Sequence, residues 1–311
     1  MNSSKKPEIR HRYEHHHLAS SRWDDFIVRP DDVIISTSYK AGTTFMQTIV
    51  GNIIFHQDGP PDSIQDLSPW LDMRLSPKKG TKKLLAEQSH RRFIKTHLPL
   101  DGLKFHEQAK YIMVGRDPRD VFMSLLNHWG NHTDLFYSTM NDRIPNKSGD
   151  QFPRMGDDVH ETWADWIGKG WFDWENDGYP YWSHLGHCLS WWEFRHLPNI
   201  ELFHYQDMVD NLEGEMRRVS KYLDIDVPEE AWPRLVDACS FETVKKNPLP
   251  VTGKNMDIMF KGGADTFINK GTNGRWKDVL TDDELALYKN VMERTLPQDC
   301  AHWLENGGRV N

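Results

Sequence analysis

The sequence predicts a single α/β domain in which helices flank a central, mainly parallel sheet. Short apolar runs of strand length alternate with amphipathic segments of helix length, an order typical of parallel strands joined by crossover helices. A glycine-containing turn follows the first run and opens a helix, as in a P-loop-like nucleotide-binding core. A chain of 311 residues can bury about three quarters of its unfolded surface, so its core requires no disulfide or metal.

The strands and helices are predicted from residue composition and from the spacing of apolar residues along the chain. Strands are β-branched apolar runs, and helices have an apolar face at helical spacing. Proline suits a first helical position, and an aspartate before it can cap the helix. The predicted strands are 32–37, 92–96, 111–115 and 199–205, and the predicted helices are 43–55, one beginning at Pro118 with Asp117 as its cap, and 208–223.

The segment 129–192 is rich in Trp, Asp, Asn and Gly, and we interpret it as an insertion beside the sheet within one domain spanning 23–311. Its tryptophans are expected mainly to pack the core, with an aromatic wall for an acceptor substrate as the alternative. Residues 1–22 are predicted to be flexible. The histidines at 11 and 15–17 could bind a metal, but a frayed polar terminus is the favoured interpretation.

Charge and cysteine content exclude several classes of protein. The chain has 38 Lys and Arg against 46 Asp and Glu, a net charge of −8, which argues against nucleic acid as the main partner. Cys188, Cys239 and Cys300 are few and widely spaced, which favours reduced thiols in a cytosolic protein. With no signal-peptide pattern and no transmembrane segment expected, a cytoplasmic location is predicted.

The turn SYKAGTT predicts an anion site. Gly42 allows the backbone to approach a ligand closely, and the amides of Gly42, Thr43 and Thr44 open the following helix. A helix N-terminus offers free N–H donors and a partial positive charge, to which Lys40 adds a full charge. The spacing differs from the GxxxxGK[ST] motif of nucleoside triphosphate sites because the lysine precedes the glycine.

Two further strand ends carry candidate residues. In VGRDPRDVFMS, Arg116 follows a strand and Ser124 lies two turns into the next helix, so Arg116 is expected to hold a second anionic group with its planar guanidinium. In FIKTHLPL, Lys95 and His97 alternate along an extended chain and project to the same side. His97 is predicted to be a general base, since its ordinary pKa is near neutral.

These motifs resemble the cytosolic-type sulfotransferases. SYKAGTTF, FIKTHLPL, VGRDPRDVFMSLLNH and KGTNGRWKDVLT match in order from about residue 23 to 281. SPWLD, HRRFIKTH, GRDPRD and RHLPNIELFHY are most similar to bacterial members, including mycobacterial glycolipid sulfotransferases. The resemblance implies 3′-phosphoadenosine-5′-phosphosulfate (PAPS) as sulfuryl donor, adenosine 3′,5′-bisphosphate (PAP) as product, and no required metal.

The resemblance also assigns roles to individual residues. His97 would be the base that takes the proton of an acceptor hydroxyl, and Lys40 and Lys95 would assist the transfer. The implied donor-binding residues are Lys40, Ala41, Gly42, Thr43, Thr44 and Phe45 on the 5′ side, Arg116 and Ser124 at the 3′-phosphate, Tyr205 and Phe241 near the adenine, and Asn269, Lys270 and Gly271 in a closing loop.

The chain departs from the family pattern at several positions. Phe45 stands where tryptophan is usual, and Asn269 stands where an arginine usually precedes the Lys-Gly pair. Residues 260–263 (FKGG) are a rival for the closing loop. Of the family dimer motif, Lys277 and Thr281 match but Asp282 and Ala286 do not. A homodimer through this motif is therefore an open alternative.

Two other functions stay open on the sequence alone. A kinase-like enzyme would share the sheet and the first loop, and a non-catalytic nucleotide-binding protein would share the fold. The position of the loop lysine and the additional pair Arg116 and Ser124 count against the kinase, and retention of both Lys40 and His97 counts against the non-catalytic protein. The aromatic insertion predicts a hydroxyl acceptor that is hydrophobic, aromatic or a glycolipid.

Overall fold

The computed structural model describes residues 5–76, 78–143 and 151–310. Its sheet has four strands that all run parallel, in the order β2-β1-β3-β4. The strands are β1 Val33–Ser36, β2 Phe93–Thr96, β3 Lys110–Gly115 and β4 Ile200–His204. The four predicted strands and the parallel α/β architecture are thus confirmed.

Helices cover both faces of this sheet, and short 3-10 turns occupy 20–23, 100–102, 229–231 and 275–278. Within the described ranges, no helix has the length and apolar character needed to cross a bilayer. The α-helices are α1 Thr43–Ile54, α2 Ile64–Leu67, α3 Lys78–Glu87, α4 Pro118–Gly130, α5 Asp134–Arg143, α6 Val159–Gly168, α7 His184–Trp192, α8 Tyr205–Asp210, α9 Leu212–Tyr222, α10 Trp232–Cys239, α11 Phe241–Lys246, α12 Leu249–Thr252, α13 Met256–Met259, α14 Gly263–Phe267, α15 Asp282–Thr295 and α16 Gln298–Asn306.

Two hydrophobic clusters fill the space between the sheet and its helices. Successive strand residues enter opposite clusters, with Ile34 on the side of α4 and α7, and Val33 and Ile35 on the side of α1 and α9. Both faces of the strands are therefore buried, which explains why the strands are continuous apolar runs without alternation. All four carboxyl ends lie at one edge, where open parallel sheets bind ligands.

The helix predicted over 208–223 is instead two helices. Tyr205 ends the predicted strand and begins α8, and Asn211 separates α8 from α9. The side chain of Asn211 accepts a hydrogen bond from the Gly214 amide, which caps α9. An asparagine side chain that bonds to the neighbouring backbone favours a helix cap over a helix interior. The spacing of apolar residues continues across Asn211, so that spacing did not reveal the break between the two helices.

The N-terminal segment is packed against the rest of the molecule, in contrast to the flexible terminus predicted. His15 and His17 are almost fully buried, and the Arg22 guanidinium donates hydrogen bonds to the carbonyls of Arg74 and Ser76. The histidine rings contact aromatic rings of the insertion instead of solvent, as His15 does with Trp182 at 5.5 Å between centroids. A histidine ring is only moderately polar, and it packs like an aromatic side chain when aromatic rings surround it.

Candidate active site

The loop between β1 and α1 has the backbone that the sequence predicts for an anion site. Lys40 and Gly42 both have positive φ, 61° and 116°, and the Gly42 carbonyl accepts the first hydrogen bond of α1, from Met46. The loop therefore turns sharply and presents the N-terminus of a twelve-residue helix to the edge of the sheet. Free N–H groups at such a terminus favour an anionic ligand.

Gly42 is the position in this loop where a side chain is least tolerable. Its φ of 116° is strained for other residues, and an added Cβ would lie 2.9 Å from Cδ2 of Tyr205. We expect Gly42→Ala to lower the free energy of unfolding by about 1–3 kcal/mol, measured by urea denaturation. Gly59→Ala is the control, because Gly59 also has a positive φ, 82°, but open space around it. Equal losses in the two variants would contradict a specific steric constraint at Gly42.

The other residues of the first loop divide into buried supports and partly open positions. Ala41 is fully buried, and the Thr43 hydroxyl is hydrogen-bonded to the Thr37 hydroxyl at 2.5 Å. Thr44 and Phe45 are half-buried, and the Phe45 ring lies 6.0 Å from that of Tyr205. The Thr43 hydroxyl is thus already bonded inside the protein, whereas Thr44 and Phe45 face the more open side of the helix start.

Arg116 lies directly after β3 and connects three loops. Its Nη1 donates to the Lys40 carbonyl at 3.1 Å, its Nη2 donates to Asn273 Oδ1 at 2.5 Å, and its guanidinium lies 4.0 Å from the centroid of the Tyr205 ring. Its Nε is buried without a hydrogen-bond partner among the described residues. Asn273 in turn donates to Gln206 Oε1 at 2.6 Å. The guanidinium is held in place and still has donor capacity.

The loop 269–274 reaches this site through Asn273, which the sequence reasoning did not select. Gly271 has a φ of 66°, and an added Cβ there would lie 2.7 Å from the ring of Phe241. Asn269 is half-buried, and Lys270 is exposed. Asn273 lies in the quoted stretch KGTNGRWK, so the signal was present, but the predicted residues stopped at Gly271. Ser124 is half-buried on α4, two turns after Arg116.

Three cations, one of them buried and two half-buried, converge near the sheet edge. Among the described residues, no ion pair includes Lys40, Lys95 or Arg116, although more than twenty other pairs occur. Burial, with the charges of Arg116 and Lys95, lowers the pKa of Lys40 to about 7. Burial also lowers the pKa of Lys95 to about 8 and lowers that of Arg116 from its usual range. Such a group of charges is complementary to a ligand with several anionic groups.

His97 has one ring nitrogen bonded to the backbone and the other open. Its Nδ1 lies 2.7 Å from the carbonyl oxygen of Thr37, so Nδ1 carries the proton and donates it. Burial, with the nearby charge of Lys95, lowers the pKa of His97 well below its usual value. The ring is therefore neutral near pH 7, and Nε2 has a free lone pair with no partner among the described residues. This is the tautomer that a general base requires.

Lys95 and His97 lie on the same side, as the alternation predicts. The Lys95 ammonium is 4.7 Å from the Trp70 ring centroid, and the His97 ring is 4.5 Å from it. Asp72 accepts a hydrogen bond from the Trp70 indole at 2.7 Å and one from the His97 amide at 3.3 Å. Sequence reasoning quoted SPWLD as similar to relatives but assigned it no role in the site.

Histidines of the insertion and of α4 also support the site, and the sequence reasoning missed them. His184 donates through Nε2 to the Arg116 carbonyl at 2.9 Å, and its Nδ1 is hydrogen-bonded to the hydroxyl of Ser38. One ring thus joins the two predicted anion loops. His128 Nδ1 accepts a hydrogen bond from the Lys40 ammonium at 3.3 Å. Only the fold brings these residues together, since each is distant in sequence from its partner.

Most tryptophans of the insertion pack the core, as the favoured interpretation predicts. Trp174 is an exception, being 41% exposed, and Trp182 is the member in ring contact with His97, at 5.7 Å. In the rival closing loop 260–263, Phe260 is buried against His128, the hydrogen-bond partner of Lys40, and against His132. The core members are Trp129, Trp163, Trp166, Trp182, Trp191 and Trp192.

A surface depression beside α9 is not part of this site. It is bordered by Arg217, Glu229 and Trp232, and Arg217 is already ion-paired with Glu229 at 2.7 Å. In the ranges 5–76, 78–143 and 151–310, no group of three or more His, Cys, Asp or Glu side chains could hold a metal ion.

A helix N-terminus, the Arg116 guanidinium and the neutral His97 ring lie at the edge of a parallel sheet, where such sheets bind ligands. The family model of the sulfotransferase domain matches residues 30–299, and the chain belongs to that family. The glycolipid sulfotransferase of Mycobacterium tuberculosis is 30% identical over 302 residues, which cover 93% of this chain and 92% of the relative. Mouse sulfotransferase 1B1 is 28% identical over 292 residues, which cover 90% of this chain and 88% of the relative.

Solved structures have the same fold. Retinol dehydratase in complex with androsterone and the inactive cofactor PAP aligns with a TM-score of 0.68 and 22% identity, covering 90% of this chain and 84% of that one. Mouse sulfotransferase SULT7A1 complexed with PAP aligns with a TM-score of 0.66 and 18% identity, covering 92% of each chain. The family resemblance drawn from the motifs and the fold predicted from the strand pattern are both confirmed.

Proposed function

We propose that the protein transfers the sulfuryl group of PAPS to a hydroxyl group of an acceptor, with His97 as general base. The observation that carries this proposal is the convergence at one sheet edge of a neutral histidine and three cations that form no ion pair among the described residues. The cations suit a donor with a 3′-phosphate and a 5′-phosphosulfate. The histidine suits proton removal from a hydroxyl.

The residues present fit such a donor. The buried Nε of Arg116 lacks a partner, and the backbone at Gly42 leaves no room for a side chain, so both favour close approach of an anion. Lys40, Lys95 and the amides at the start of α1 would hold the phosphosulfate, and Arg116 with Ser124 would hold the 3′-phosphate. PAPS itself supplies the activated sulfuryl group. The protein contributes positioning and charge stabilisation, as in phosphoryl transfer.

His97 completes the proposed chemistry. Its Nδ1–H is bound to the Thr37 carbonyl, so the ring orientation is fixed and Nε2 is free to accept the proton of an acceptor hydroxyl. The Lys95 ammonium, beside the same Trp70 ring, would stabilise the negative charge of the transferring sulfuryl group. Because burial holds the pKa of His97 low, we expect no loss of its basic form until well below pH 6.5.

The acceptor is proposed to present its hydroxyl from a hydrophobic, aromatic or glycolipid body. The rings of Tyr39, Trp70 and Trp182 lie around His97, at 4.8, 4.5 and 5.7 Å between centroids. Aromatic side chains are common walls of small-molecule sites. The similarity to a mycobacterial glycolipid sulfotransferase supports the same range of acceptors.

Nucleotide binding tests the donor part of the proposal. We expect PAP to bind much more tightly than ADP or ATP in calorimetry, and to stabilise the fold by about 2.7 kcal/mol at 100 times its dissociation constant. That preference would distinguish the protein from a kinase-like enzyme, for which ATP would bind equally or better. Transfer of labelled sulfate from PAPS to an acceptor would distinguish it from a non-catalytic binding protein.

The pH dependence of PAP binding is a further expected result. The pKa values of Lys40 and Lys95 are about 7 and 8 in the free protein. A bound anion raises both pKa values, so both lysines become fully protonated in the complex. Above pH 7 the protein must therefore take up protons on binding, and affinity should fall by up to about tenfold per pH unit for each lysine. Calorimetry from pH 7 to 9 in buffers of different ionisation enthalpy measures this uptake.

Lys40→Arg is the matched variant for this pH effect, because an arginine stays charged throughout the range. We expect the variant to lose the part of the proton uptake that Lys40 contributes and to keep part of the affinity. The phosphate groups of PAP are already ionised above pH 7, so they do not produce the same trend. Affinity that is constant from pH 7 to 9 would contradict the low pKa values of both lysines.

A further inference from the structure

An aromatic cluster next to the proposed base includes residues of the N-terminal segment. Its rings belong to His17, Tyr39, Trp70, His97 and Trp182, and we call it the acceptor-side cluster. Tyr39 is central, at 4.8 Å from His97, 4.5 Å from Trp182 and 5.5 Å from His17 between ring centroids. The His17 ring also packs 4.9 Å from Trp70. The N-terminal segment therefore contributes the His17 ring to the cluster that contains His97.

This cluster and its immediate neighbours contain buried polar atoms that have no hydrogen-bond partner among the described residues. They are His17 Nδ1, Trp182 Nε1, Trp129 Nε1 and His15 Nε2. Trp129 stacks on Tyr39 at 5.4 Å, and His15 stacks on Trp182 at 5.5 Å. Leaving a buried donor or acceptor unpaired is destabilising, so such groups usually bind water or a ligand.

The two histidines are held firmly in these positions. His15 Nδ1 accepts a hydrogen bond from the His17 amide at 2.9 Å, and His17 Nε2 lies 3.0 Å from the Tyr39 hydroxyl. The Arg74 amide donates to the His17 carbonyl at 2.9 Å, and the Ala19 amide donates to the Asp72 carbonyl at 2.9 Å. The unpaired nitrogen of His17 is thus fixed by bonds on either side of it, which is the arrangement of a preorganised recognition group.

We infer that the acceptor carries several hydroxyl groups, as a sugar headgroup does, and that His17 and Trp182 bind a hydroxyl other than the one that is sulfated. This inference rests on the proposed function, since it names the acceptor class of the same site. A hydroxyl can both donate and accept, so it pairs with an indole N–H and with either tautomer of His17. The aromatic rings would pack on the apolar C–H faces of the sugar.

A simple phenol or fatty alcohol would fill the same aromatic space but would leave these nitrogens unpaired. A site built to bind a substrate hydroxyl discriminates strongly against an analogue that lacks it, by about 10⁴-fold in favourable cases. His97 is itself only 3% exposed, so an acceptor reaches its Nε2 only when the surrounding rings separate.

Matched acceptors test the inference on the full-length protein with PAPS. Octyl glucoside and 1-octanol share one apolar body, and 2-naphthol provides an aromatic hydroxyl without a sugar. We expect kcat/KM for octyl glucoside to exceed that of both alcohols by at least about 10²-fold. Quenching of tryptophan fluorescence by octyl glucoside in the PAP complex gives a binding measurement that is independent of turnover.

Variants then assign the recognition to His17. His17→Phe keeps an aromatic ring and removes its nitrogens, so kcat/KM for the glucoside should fall at least tenfold relative to that for 2-naphthol. His17→Gln keeps a polar group and should recover part of the loss. His11→Phe is the control, because His11 belongs to the same segment but stacks on the exposed Trp174 at 4.4 Å. Melting temperature and PAP affinity are measured for each variant, so that a folding defect is recognised.

The outcomes separate this inference from the function on which it rests. Sulfation of 2-naphthol or octanol in preference to the glucoside, or an unchanged glucoside preference in correctly folded His17→Phe, would overturn the inference and leave the sulfotransferase function in place. Absence of PAP binding and of all sulfation would overturn the proposed function as well. Intact PAP binding with no turnover or quenching by the glucoside would also overturn the inference.

Discussion

Replacement of His97 by alanine is expected to lower kcat by about 10²–10⁴-fold while PAP binding stays close to that of the unaltered protein. The reason is geometric. The ring contributes a lone pair at Nε2, and its Nδ1–H is already engaged by the Thr37 carbonyl, so no binding contact to the nucleotide depends on it. The measurement is single-turnover sulfation with saturating PAPS, combined with calorimetry of PAP binding.

Two comparisons make the result for His97 specific. His97→Gln retains a polar side chain without an effective base and should be as impaired as the alanine variant. His302→Ala removes an exposed histidine on α16 and should behave like the unaltered protein. Turnover of His97→Ala within about threefold of the unaltered protein would remove His97 from the mechanism, whereas loss of PAP binding would show that the residue is needed for the structure of the site.

Replacement of Arg116 by alanine is expected to remove the preference for nucleotides with a 3′-phosphate. Hydrogen bonds between charged groups contribute about 1.5–3 kcal/mol each, so PAP affinity should fall by about 10²–10⁴-fold. ADP lacks the 3′-phosphate, and its affinity should change much less. The informative quantity is therefore the ratio of the dissociation constants for ADP and PAP, which should approach one in the variant.

Arg116→Lys separates charge from shape. A lysine keeps the positive charge but cannot bridge the Lys40 carbonyl and Asn273 as the guanidinium does. We expect an intermediate ratio for this variant, and for Asn273→Ala a smaller loss, because that change leaves the charge and frees one guanidinium nitrogen. If Arg116→Ala weakened ADP and PAP equally, its role would be to hold the first loop in place, and the 3′-phosphate would have to be bound elsewhere.

Local sequence was sufficient for the sheet and for the backbone of the first loop. The runs at 32–37 and 111–115 could only be buried strands, because each is apolar without alternation and each precedes a polar turn. The turn before Thr43 could be predicted because glycine is the residue that tolerates a φ of 116°. The break between α8 and α9 at Asn211 was not predicted. It depends on one side-chain hydrogen bond, and the helical spacing of apolar residues continues across it.

The buried N-terminus shows why residue type alone was insufficient. His15 and His17 were interpreted as polar residues of a frayed end, yet each packs against aromatic rings that lie far away in the chain. Whether a histidine is solvated or stacked depends on whether such rings surround it. That information lies in the arrangement of the insertion around the sheet edge, which no local pattern encodes.

By itself, the sequence determined the parallel α/β architecture, the family, and the short list of residues whose chemistry suits an anionic donor and a base. These properties follow from local pattern and residue type. Only the tertiary structure decided that Lys40, Lys95 and Arg116 form no ion pair among the described residues, that Nε2 is the His97 nitrogen without a partner there, and that His17 belongs to the acceptor-side cluster. Burial, pKa and hydrogen bonding depend on neighbours distant in the chain, so they exist only once the fold has formed.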